Sequence, residues 1–134
     1  MRVSGRREAS AGDGYRTRGR RLVLRYAILQ LICAAVVAGV ALAGMGPRGA
    51  GAALAGGLVA AVGNIVSGWT LFAPGVAPVP VLARAVWAGE VLKWLWVGLA
   101  RWGALGPGHL PPLPLIAGLI AAQIGFWLGL ALIR

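Results

Sequence analysis

The chain has 134 residues, 59% hydrophobic and only 12% charged, with a net charge of +10 and a mean hydropathy of +0.80. So little charge does not cover the surface of a soluble domain, which excludes soluble enzymes and binding modules and points to an all-α integral membrane protein. A single cysteine, Cys33, excludes an internal disulfide.

Residues 1–21 come first. They are polar, rich in Gly, Ser and Arg, and show no apolar periodicity, so they are expected to form a disordered basic tail. Eight arginines fall within residues 1–25: Arg2, Arg6, Arg7, Arg16, Arg18, Arg20, Arg21 and Arg25. Beside a hydrophobic segment, such a cluster marks a cytoplasmic flank. It also attracts anionic lipid head groups, at about 1 kcal/mol per residue near the surface. Tyr15 is the one aromatic among the arginines of the tail, too few to stack on successive bases, so nucleic acid is not an expected partner. Arg20 and Arg21 ahead of an apolar run resemble an export signal, with Ala41-Leu42-Ala43 as a cleavage site. The run is long for such a signal and no soluble cargo follows, so an uncleaved segment is expected.

Four hydrophobic segments follow in a membrane domain over 22–134: about 22–45, 51–72, 81–105 and 113–133. Each is close to the ~20 residues that span a hydrocarbon core. Pro and Gly divide them at Gly46-Pro47, between Pro74 and Pro80, and from Gly106 to Pro112. The pattern predicts four transmembrane helices as two hairpins, with both termini in the cytoplasm. Arg84 and Arg134 agree with that orientation; Arg48 and Arg101 do not.

Small residues line two segments. Ala53, Gly57 and Ala61 recur at every fourth position in the second, and Gly118, Ala122, Gly125 and Gly129 line one face of the fourth. Such rows let membrane helices pack closely. Asn64 and Gln123 are amides in the middle of these two segments. They either bond across the bundle or complete a polar site.

The third segment holds one of the chain's three acids, Glu90, and its only lysine, Lys93. A charge at the bilayer centre costs roughly 2.5–3.5 kcal/mol on insertion scales. Spaced i,i+3 on a helix, the two suit an ion pair. Arg101, eleven residues past Glu90, falls within roughly 20° of the same stripe, about 16 Å further along. The pair either pins helix packing or faces a partner or ion path. No catalytic, cofactor or metal site is expected: His109 is the only histidine, and no Cys pair or acidic cluster accompanies it.

A basic N-terminus, four short spans, Gly57-Leu58 and Asn64 in the second, a G-E-x-x-K element at Gly89, Glu90 and Lys93, and Pro114-Leu115-Ile116 with Gln123 and Trp127 in the fourth together resemble the ATP synthase protein I family. The resemblance covers roughly residues 22–130, and the G-E-x-x-K element is its most specific part. It implies a non-catalytic assembly factor in the bacterial inner membrane that helps rotor c-subunits insert and close into the c-ring. Glu90, Lys93, Asn64, Gln123 and Arg101 would then be the interacting residues. Contact with the a-subunit and homo-oligomerisation stay open. The alternative is a small oligomeric channel or carrier for Mg2+ or other cations, with Glu90 as the metal-facing carboxylate. Lys93 beside it argues against that path, since its charge repels cations.

Overall fold

The computed structural model describes residues 3–107 and 109–132, with side chains from Asp13 onward. It is all-helical: α1 (Val3–Phe72), α2 (Val79–Leu105) and α3 (Pro112–Leu132). The first two predicted segments are one helical run, bent sharply at Gly46, where φ is 71° and ψ is −168°. That backbone region is essentially reserved for glycine. Pro47 follows, and its fixed φ suits the first position of a new helical limb. The two limbs of α1 fold back as an antiparallel hairpin. Gly57 lies against Ala34, Gly68 against Val23, and Gly19 against Phe72.

The helix begins at Val3, inside the segment expected to be a disordered tail, and this corrects that expectation. The hairpin contact continues below the apolar run: the Tyr15 ring meets Phe72 edge-on at 5.6 Å, and Gly19 is buried. Arg and Ala are also good helix formers. The side chains of Arg2, Arg6 and Arg7, and the whole of Arg134, lie outside the described residues.

Two helices are long and apolar enough to cross a membrane: α1 over Asp13–Phe72, and α3. The expected set of four spans is not reproduced on that measure. Every 18-residue stretch of α2 contains Glu90, Lys93 and at least one of Arg84 and Arg101.

The core is built from small side chains. The first limb buries Val23, Ala27, Gln30, Ala34 and Ala38 along one stripe, and the second buries Ala52, Ala53, Ala60 and Ala61. From α3, Leu115, Gly118, Ala122, Gly125 and Gly129 complete it. A Cβ on Gly118 would run into the backbone carbonyl of Ala53, and one on Gly56 into that of Leu115. Further along, Gly125 lies on Gln30 and Cys33, and Gly129 on Tyr26. Thus α3 starts on the second limb and crosses onto the first. The rows of small residues read from the sequence are the close-approach faces of this core.

Candidate functional site

α2 packs on the second limb of α1 at three levels. At Gly89, a Cβ would collide with the Thr70 hydroxyl and come within 3.1 Å of the Ser67 hydroxyl. A Cβ on Gly63 would come within 3.3 Å of the Lys93 stem and 3.4 Å of the Trp96 ring. The Trp96 indole Nε1–H donates to the Val59 carbonyl at 3.0 Å. The opposite face of α2 is open among the described residues: Trp87 is 74% exposed and Trp94 66%.

Gly89 lets the helices approach closely enough that the next residue, Glu90, reaches across. Its Oε1 accepts from the Ser67 Oγ–H at 3.5 Å, while Thr70 Oγ1–H donates to the Ser67 carbonyl at 2.8 Å. The first of these is long for an O–H···O bond. Among the described residues Glu90 and Lys93 form no ion pair, although their i,i+3 spacing suits one. The reason is positional: Glu90 is drawn to Ser67 on the second limb, while the Lys93 stem lies one turn further along, over Gly63.

Glu90 and Lys93 line one cavity of about 360 Å³ together with Asn64, Ser67 and Gln30. Both limbs of α1, α2 and α3 line the cavity, and its remaining wall is mostly apolar, including Leu71, Phe126 and Leu130, with Tyr26 among them. Glu90 also lines an outer groove on α2 with Trp87, Val91, Trp94 and Leu95. It therefore stands between the interior of the bundle and its exposed face.

Of the residues expected to act together, the structure unites Glu90, Lys93 and Asn64. It does not bring in the other two. Gln123 is half-buried on α3 and does not line the cavity. Arg101 is exposed at the far end of α2, beside Trp102 and Gly106. Sharing an angular stripe was not enough, because the axial distance separates Arg101 from the cavity. The residue that sequence reasoning missed is Gln30. It is 0% exposed, and neither its Nε2 nor its Oε1 has a hydrogen-bond partner; Asn64 Nδ2 also lacks one. The signal was present: Gln30 lies on the stripe Val23, Ala27, Ala34, Ala38, the face of smallest residues in its segment. Among the described residues, no three His, Cys, Asp or Glu side chains cluster as metal ligands.

The family model described as ATP synthase I chain matches residues 25–120, well over half of the chain. No curated protein and no solved structure matches it.

Proposed function

The chain belongs to the ATP synthase I chain family, and from that premise we propose a non-catalytic accessory protein of the bacterial F-type ATP synthase that helps rotor c-subunits insert and close into a ring. The family and the two long apolar helices make it a membrane protein. The finer reading is that both limbs of α1, α2 and α3 each cross the inner membrane, with the exposed arginines of the first limb held at the cytoplasmic surface by anionic lipids.

α2 is the decisive element. Its ten Leu and Val residues favour insertion by roughly 3–6 kcal/mol, and its two central charges oppose it by roughly 5–7 kcal/mol. Alone it inserts only marginally; against the second limb, Ser67 relieves part of the cost at Glu90. The observation that carries the proposal is Lys93, a half-buried mid-helix ammonium that lines the cavity and has no carboxylate partner among the described residues. Rotor subunits, as the family context implies, are glycine-rich hairpins with a mid-membrane carboxylate. A c-subunit docking where the cavity meets α2 would pair that carboxylate with Lys93, so that neither charge stays unpaired in the hydrocarbon. The same Lys93 speaks against the cation-channel alternative, since it lines the cavity that contains Glu90.

The test is the yield of detergent-resistant c-ring in cells carrying Lys93→Met, Glu90→Gln, or both. Lys93→Met is expected to lower the yield most. Unchanged yield in all three variants would refute the role given to these residues. Cation flux into liposomes holding this protein alone, lost in Glu90→Gln, would establish the channel instead.

A further inference from the structure

We infer that the cavity between α1, α2 and α3 is a binding site for a small apolar molecule ending in a carboxyl group. The inference rests on the unmet hydrogen-bonding groups and does not depend on the assembly role. Gln30 is wholly buried, yet both ends of its amide lack a partner, as does Asn64 Nδ2. Both residues line the cavity, and so does Lys93. An unmet buried amide is costly, and three such atoms around one space describe what should fill it. Two of the unmet atoms are amide donors and one is an amide oxygen; the Lys93 ammonium adds a donor group, and the Glu90 carboxylate, held by one long bond from Ser67, adds an acceptor on the same wall.

A carboxyl group meets that set. Its oxygens accept from Gln30, Asn64 and Lys93, and in its protonated form it also donates to the Gln30 oxygen or to the Glu90 carboxylate on the same wall. The rest of the wall is mostly apolar, with Leu71, Phe126 and Leu130 offering a channel for a hydrocarbon body. The volume of about 360 Å³ lies within the range of small-ligand pockets. A helix, about 10–12 Å across with its side chains, does not fit inside, so the occupant proposed is a free amphiphile.

The test uses the full chain in lipid nanodiscs with a diazirine-bearing fatty acid as photoprobe. Labelling is expected to concentrate on the peptides holding Gln30 and Asn64–Phe72. Excess dodecanoic acid is expected to compete it away, while dodecanol, with the same tail and no carboxyl, is not. Gln30→Leu is expected to cut the competed label about tenfold. It should leave thermal unfolding in probe-free nanodiscs as high as before or higher, because the unmet amide is gone. Should Gln30→Leu fail to fold, Asn64→Val carries the same expectation. Lys93→Met is expected to abolish the preference for acid over alcohol. Equal competition by acid and alcohol in the unaltered protein would overturn the inference. So would competed label unchanged by the amide substitutions, or an absence of competable label in the cavity, which would leave water as the only partner of the amides.

Discussion

Two helices pack against the second limb of α1, and they do so in opposite ways. α3 comes in on Gly118 and Gly56 so closely that a single added carbon would strike a backbone carbonyl on the other helix. It then crosses to the first limb through Gly125 and Gly129. Nothing polar is needed, because dispersion between fitted backbones holds the contact. α2 touches the same limb through Gly89, Gly63 and one indole hydrogen bond, and leaves a cavity and two charges beside the contact. The closer interface gives the bundle its shape. The looser one leaves the cavity, with Glu90 and Lys93 on the helix that presents its other face outward and Gln30, Asn64 and Ser67 on α1.

If that contrast is real, substitutions should rank accordingly. The largest effect is expected for Gly118→Leu, which forces α3 away from Ala53; overpacking of this kind costs about 3 kcal/mol. Thermal unfolding in detergent should show the bundle losing most of its stability, and a tolerant response would mean that α3 is not seated as described. Gly46→Ala comes next. It places a side chain at φ 71° and ψ −168°, a cost of about 1–3 kcal/mol read in the same melting experiment. Trp96→Phe removes the bond to the Val59 carbonyl and is expected to cost about 1 kcal/mol, less than either change in the α1–α3 unit. Ser67→Ala should fall within about 0.5 kcal/mol, because the bond it removes is long. A loss as large as that of Gly118→Leu would make the α2 contact structural in the same sense as α3.

Much of the α3 side of this comparison was legible in the sequence. The rows through Ala53 and Gly118 announced close faces, and the Pro and Gly breaks placed the ends of α2 and α3 within a few residues. What was not legible depends on which helix meets which. Glu90 and Lys93 at i,i+3 describe a pair only if nothing else competes, and Ser67, twenty-three residues earlier, does compete. Arg101 and Gln123 lie away from the cavity, at another height or on another helix. Gln30 was passed over because a lone amide near the start of an apolar run carries no partner within its own segment; only the fold reveals that Asn64 and Lys93 share its cavity. The helical N-terminal run escaped notice for a related reason. Its composition reads as tail, and Phe72 at the far end of the hairpin provides the surface on which Tyr15 rests.

The central claim is that the rotor subunit meets α2 and not α3. Trp94 on α2 and Trp127 on α3 are the same residue type and equally exposed, at 66% and 64%. A photo-crosslinking amino acid placed at each position in turn, in membranes that are assembling ATP synthase, compares the two faces directly. Crosslinks to the c-subunit from position 94, absent from position 127 and lost with Lys93→Met, are the predicted result. Equal crosslinking from both positions, or crosslinking from 127 alone, would contradict the account.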